Sequence, residues 1–272
     1  ARIDTVRFDI GLGLWSLMYV FHPEDHNGQA VIYHPGHGHT LSGGAHAVDY
    51  LVERGYLVLF AFMPLFGPNP GDLEVEYKGE TFYLRRWHDD LLPIEQRGGN
   101  TFHLFFEPVA RGVAYLQRDL GIEQIAMIGL SGGGWTTDVY SAIDPRVRLT
   151  YNVSGSVPFH LRTTERDRGE YEQLPERPFY ELIDYMGLYF LAAQGEGQGH
   201  RQHSHEFDAC CYDFRGRAEA FREYERAVQD RLQSDPLGGD FRVELMEGLD
   251  GHNTKVEDLE IVDREMTALR AD

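Results

Sequence analysis

Residues 125–145 read IAMIGLSGGGWTTDVYSAIDP: a greasy run, a serine set among glycines, then a segment of helical character. Gly129, Ser131 and Gly133 place a G-x-S-x-G pattern at the junction. A turn that passes from strand to helix this sharply has no room for flanking side chains, and it pushes the serine hydroxyl out at the sheet edge. The helix that follows points its N-terminus at the same spot, where it favours developing negative charge. The competing reading is a structural glycine turn. The strand before and the helix after favour Ser131 as a nucleophile.

A serine hydroxyl is inert at neutral pH unless a base takes its proton, and the base needs an orienting partner. An acid and then a histidine are therefore expected, each just past a later strand. His252 fits: it follows the strand-like FRVELMEG in the loop LDGHNT and precedes a terminal helix. Asp208 is the leading acid, with Asp213, Glu206 and Asp250 as rivals. Asp250 lies too close to His252 along the chain to brace its ring easily.

Outward from the serine, apolar runs of strand length alternate with helical periodicity. TVRFDI, LWSLMYVF, QAVIYH, GYLVLFAFMP, IEQIAMIGL, VRLTYNVSG, LYFLAAQ and FRVELMEG read as strands. Helices are expected from about Ala45 to Arg54, over EPVARGVAYLQRDLG, over GGGWTTDVYSAID, near FYELIDYMG, over RAEAFREYERAVQDRLQ and over NTKVEDLEIVDREMTAL. GEGQGHRQHSHEFD reads as a loop, and residues 64–104 as an excursion over one face. The alternation implies a mostly parallel sheet covered on both faces and one domain over residues 1–272.

The order Ser131, Asp208, His252 resembles the α/β-hydrolase superfamily, within the group of dienelactone hydrolase, acetyl xylan esterase and prolyl-oligopeptidase-type catalytic domains. The resemblance runs from about Gln29 to the C-terminus. It implies the α/β-hydrolase fold, with the excursion over the active-site face. It also implies an oxyanion hole built from the Gly132 N–H and main-chain N–H groups of His37 and Gly38, where HPGHGH takes the place of the family's HGGG-like segment. HEFDACCYDF departs from the simpler G-x-x-D pattern that presents the acid. The implied activity is serine-dependent hydrolysis of a small or carbohydrate-linked, acetyl-type ester through an acyl-enzyme. The alternatives are a prolyl-oligopeptidase-type peptidase and an inactive binding module of the same fold. Trp87, Trp135 and His39 are candidate substrate contacts, and aromatics of the excursion would either clasp substrate or form its own small core.

The remaining composition narrows the field. A net charge of −19 disfavours nucleic-acid binding and docking on anionic membranes. No stretch has the length of a transmembrane helix, and the N-terminus is not a signal peptide. The opening Ala1 leaves room for a removed leader or upstream domain, so the compartment stays open between cytoplasm and export. Cys210 and Cys211 are adjacent and form no disulfide framework. No cofactor is expected, because the phosphate-loop ending G-K-[ST] and the dinucleotide fingerprint are missing. No metal is expected either: H-E-x-x-H is absent, and His34, His37, His39 and His46 are read as belonging to a glycine-rich loop. His200, His203 and His205 are read as a rim or substrate loop.

Overall fold

Strand β3 (Gln29–His34) shows how the sheet is sandwiched, because its neighbours in sequence face opposite layers. Val31 and Tyr33 join one apolar cluster, Ala30 and Ile32 the other, and all four are buried. A strand buried on both faces needs no polar alternation, which is why QAVIYH is apolar throughout. Each such side chain contributes roughly 1.5–3 kcal/mol when fully buried.

The computed structural model describes residues 2–38 and 40–271. In chain order, β1 (Arg2–Gly11) and β2 (Leu14–His22) precede β3, and α1 (Ala45–Glu53) leads to β4 (Leu57–Phe60). The excursion contains β5 (Leu73–Tyr77), β6 (Glu80–Leu84) and α2 (Leu92–Gln96). Then come α3 (His103–Arg118), β7 (Gln124–Leu130), α4 (Gly132–Ile143), β8 (Val147–Val153), α5 (Phe179–Leu182) and α6 (Tyr185–Ala193). The chain closes with β9 (Gly199–Phe207), α7 (Ala218–Ser234), β10 (Asp240–Asp250) and α8 (Val256–Ala271).

Among the described residues the main sheet has eight strands in the order β1-β2-β4-β3-β7-β8-β9-β10. The β1–β2 and β2–β4 pairings are antiparallel and the remainder parallel. The β5–β6 hairpin forms a separate small sheet. Helices α1 and α8 cover one face, where Val48, Leu51, Leu259 and Val262 are buried. On the other face α3 contributes Val109, Val113 and Leu116. This is the α/β-hydrolase architecture: a mostly parallel sheet with helices on both faces.

Two segments depart from the sequence reading, and they are consecutive. LYFLAAQ lies in α6, not in a strand. That helix is apolar on all sides because it is wedged between α4 and α7, so it shows no helical period. Its start is marked instead by Asp184, whose carboxylate accepts the Gly187 N–H at 2.9 Å. GHRQHSHEF, read as loop, is β9, paired in parallel with both β8 and β10. A strand this polar can be buried only where distant partners meet it. His200 lies 2.7 Å from the Thr150 hydroxyl and 3.0 Å from Asp138; Arg201 reaches Asp240 at 2.6 Å and Glu265 at 3.0 Å. His203 and His205 meet Asp258 at 2.8 and 3.1 Å. The three histidines are therefore interior strand residues, not a rim loop.

Candidate active site

The elbow is built by close packing of backbone. Ser131 stands at φ 58°, ψ −128°, between β7 and α4, and its N–H donates to the Val153 carbonyl at 2.9 Å. A Cβ on Gly129 would sit 2.1 Å from the Gly133 carbonyl oxygen, and one on Gly133 would sit 2.1 Å from that of His34. No side chain fits at either place, which is the physical content of the G-x-S-x-G spacing. The left-handed φ of Ser131 is costly for a non-glycine residue and is held by this packing.

Asp208 follows β9 immediately, and His252 follows β10 by two residues. The His252 Nδ1 lies 2.8 Å from Asp208 Oδ2, while Asp208 Oδ1 accepts the N–H groups of Cys210 and Cys211 at 2.8 and 3.1 Å. Burial works to raise the Asp208 pKa, but the hydrogen bond and charge of His252 outweigh it and hold the carboxyl below its usual range. His252 Nε2 is buried and has no hydrogen-bond partner among the described residues. Ser131 and His252 face one cavity of about 300 Å³. The rival acids are elsewhere engaged: Asp213 with Arg166, Glu206 with the Gly248 N–H, and Asp250 on the surface near Lys255.

The loop after β3 closes over the elbow. Gly36 has φ +81°, and a Cβ there would lie 2.4 Å from the Leu130 carbonyl and 3.1 Å from the Gly132 nitrogen. The His37 ring lies against Gly132, where an added Cβ would meet its Cε1 at 2.3 Å. Gly38 is exposed with φ +65°. The structure thus brings Gly132 together with Gly36 and His37, while Gly38 faces open space; His39 lies outside the described residues.

The other substrate candidates are not at the cavity wall. Trp135 is fully buried in the core, its indole N–H donating to Tyr180 at 2.7 Å. Trp87 is 62 % exposed and absent from the cavity. Phe102, Phe105 and Phe106 pack on Trp135 and are absent from the cavity lining. The cavity is lined instead by His37, Arg166, Gln173, Tyr212 and the disulfide-linked Cys210 and Cys211. The cysteine pair was legible as a flag two residues past the acid; Arg166 and Gln173 carried no signal. A larger cavity of about 620 Å³ lies at the opposite ends of β9 and β10, around Gly195–Gly199 and Asp235–Asp240, with none of the elbow chemistry.

Behind His37 sits a second carboxylate–imidazole group that the sequence reading missed. Glu172 Oε1 is 3.0 Å from His37 Nε2, Glu172 Oε2 is 3.0 Å from His88 Nδ1, and the two ring nitrogens are 3.1 Å apart. Burial raises the Glu172 pKa, but the two imidazoles outweigh it and hold the carboxyl far below its usual range. Burial depresses His37, and the facing Glu172 charge more than reverses that, leaving its pKa raised. Among the described residues, donor atoms here and in the set Cys210, Cys211 and His252 lie close enough together to share a metal ion.

No protein-family profile matches the chain. No curated protein matches it either. Solved structures do. An esterase from Pyrococcus furiosus aligns with TM-score 0.63 at 12 % identity, over 98 % of this chain and 92 % of that one. Est1E from Butyrivibrio proteoclasticus, solved with ferulic acid bound, aligns with TM-score 0.60 at 15 % identity, over 97 % of each chain. TT1662 from Thermus thermophilus aligns with TM-score 0.60 at 18 % identity, over the whole of both chains. At these identities the likeness establishes the fold. No helix among the described residues is long and apolar enough to cross a membrane.

Proposed function

We propose that the protein is a serine-dependent carboxylic ester hydrolase acting on small, acetyl-type esters, carbohydrate-linked ones included. The observation that carries this reading is the His252 ring, held by Asp208 at 2.8 Å, with its other nitrogen unpartnered in the cavity that Ser131 also faces. His252 Nε2 takes the Ser131 proton as Oγ attacks the ester carbonyl, and Asp208 fixes the tautomer. The Gly132 N–H and main-chain donors of the His37–Gly38 segment receive the oxyanion, each worth roughly 3 kcal/mol in the transition state. The alcohol departs with the proton from His252, and water releases the acid by the reverse sequence.

The cavity volume of about 300 Å³ favours a short acyl group and leaves little space for peptide residues on both sides of a scissile bond. That supports an esterase over the peptidase alternative. Est1E, of the same fold, holds ferulic acid, an ester-forming acid, which makes aromatic acyl esters a second series to try. The experiment is hydrolysis of acetyl through octanoyl esters and an acetylated sugar by wild type and Ser131→Ala. Turnover is expected to be greatest with the shortest acyl chains and to fall roughly 10⁴-fold or more in the variant. A wild-type protein that turns over none of these esters would sink the reading and send the question to peptide substrates.

A further inference from the structure

We propose that His37, His88 and Glu172 form a zinc site that fastens the loop after β3 to two excursions, residues 64–104 and residues 154–178 between β8 and α5. The three donors come from separate parts of the chain: the loop after β3, the turn His88–Leu91 of the first excursion, and the turn Tyr171–Gln173 of the second. The facing donors are the two ring nitrogens and both oxygens of one carboxylate: Oε1 lies 3.0 Å from His37 Nε2, Oε2 lies 3.0 Å from His88 Nδ1, and the two nitrogens are 3.1 Å apart. A tetrahedral zinc with bonds near 2.05 Å needs donors about 3.3 Å apart, a few tenths of an ångström more than each of these contacts. Two imidazoles and one carboxylate are a donor set zinc uses, with a fourth position left for water.

Hydrogen bonding accounts for only part of the arrangement: His88 Nδ1 lies within hydrogen-bond distance of Glu172 Oε2 at 3.0 Å and of His37 Nε2 at 3.1 Å. Glu172 Oε1 is buried and 3.0 Å from His37 Nε2, yet it is out of line for a hydrogen bond and has no other partner among the described residues. The carboxylate and the two ring nitrogens lie close enough together to hold one ion. The orientation of His88 fits the same purpose: its Nε2 lies 2.9 Å from the Pro64 carbonyl, which takes the proton on that side and leaves Nδ1 free to ligate. Phe66 and Phe105 pack against the rings with centroids 4.8 to 5.4 Å away. Glu172 is fully buried, and a lone buried carboxylate is costly unless strongly compensated.

Zinc here would act on structure. The His37 ring abuts Gly132 on one edge and turns Nε2 toward Glu172, so an ion at Nε2 would brace the segment 36–38 without touching Ser131. The proposal does not depend on which ester, if any, the protein hydrolyses.

The test begins with wild-type protein grown with added zinc, dialysed without chelator and analysed by inductively coupled plasma mass spectrometry. About one zinc per chain is expected, and its removal by EDTA should lower Tm by roughly 5 °C or more. Cobalt(II) titrated into the stripped protein should give visible absorption that saturates at one equivalent and lacks a thiolate charge-transfer band. His88→Ala and Glu172→Gln should lose the metal, whereas Cys210→Ser with Cys211→Ser should keep it. Wild type that retains no zinc and develops no cobalt spectrum overturns the proposal, as does binding that follows the cysteines. If the ligand variants fail to fold, the wild-type stoichiometry and cobalt spectrum decide.

Discussion

Among the described residues a buried carboxylate lies between two imidazoles at Asp258 and at Glu172, and the two clusters are put together differently. At Asp258 each ring has its own oxygen: His203 Nδ1 meets Oδ1 at 2.8 Å, His205 Nε2 meets Oδ2 at 3.1 Å, and the Lys255 N–H adds a third bond at 2.7 Å. At Glu172 the ring nitrogens face each other and one carboxylate oxygen makes no hydrogen bond. The Asp258 group is thus a strut tying β9 to the first turn of α8. His205 Nδ1 also lies 3.2 Å from the Gly251 carbonyl, so the strut steadies the residue before His252. Similar composition is used differently: both Asp258 oxygens accept hydrogen bonds, whereas Glu172 Oε1 accepts none.

The largest effect that would separate them is on stability. Asp258→Asn removes the charge facing two buried rings and should cost about 3 kcal/mol, a fall in Tm of roughly 6–10 °C by calorimetry, unchanged by EDTA. Glu172→Gln should lower Tm mainly by erasing the part that EDTA removes from wild type. Equal EDTA sensitivity in the two variants would break the comparison.

A second, smaller effect is the pH dependence of the strut. Burial raises the Asp258 carboxyl, but His203 and His205 outweigh it and hold the folded pKa well below the ordinary value. Its contribution is therefore complete above the unfolded value, near pH 4, and is lost as pH falls toward the folded one. Burial depresses His205, yet Asp258 lifts it above its ordinary value. That contribution is complete below about pH 6.5 and is lost as pH rises through the raised pKa. Urea unfolding of wild type and Asp258→Asn should thus differ most between roughly pH 4 and 6.5. A difference that keeps growing above that window would contradict the assignment.

Asp208→Asn tests the third carboxylate–imidazole pair. If Asp208 orients His252, ester turnover should fall by about 10⁴-fold with little loss of zinc. The smallest effect is expected at Trp87, which is exposed and away from the cavity: Trp87→Ala should leave kcat/KM within about twofold. A tenfold rise in KM would place Trp87 in substrate binding after all.

Local signals made most of this legible. Strand–serine–helix at 125–145 depends on neighbours in sequence, since glycines at 129 and 133 and the apolar run before them already dictate a sharp turn at a sheet edge. The histidine after the last strand could be read in the same way. Asp208 stands 2.8 Å from His252, but in the sequence it reads as following a long loop, because β9 was taken for that loop and α6 for the strand before it. HRQHSH has no apolar alternation to betray a strand, and LYFLAA has no polar face to betray a helix. His88 and Glu172 went unread for a related reason: they stand 51 and 135 positions from His37.

By itself, then, the sequence determined most of the order of elements, α6 and β9 excepted, and the sharp strand–serine–helix turn, because hydrophobic period and glycine sterics act over a few residues. The tertiary structure alone decided which polar residues are interior. Their burial depends on charges and hydrogen bonds from chain segments 39 to 135 residues away, and no local pattern encodes where those partners come to rest.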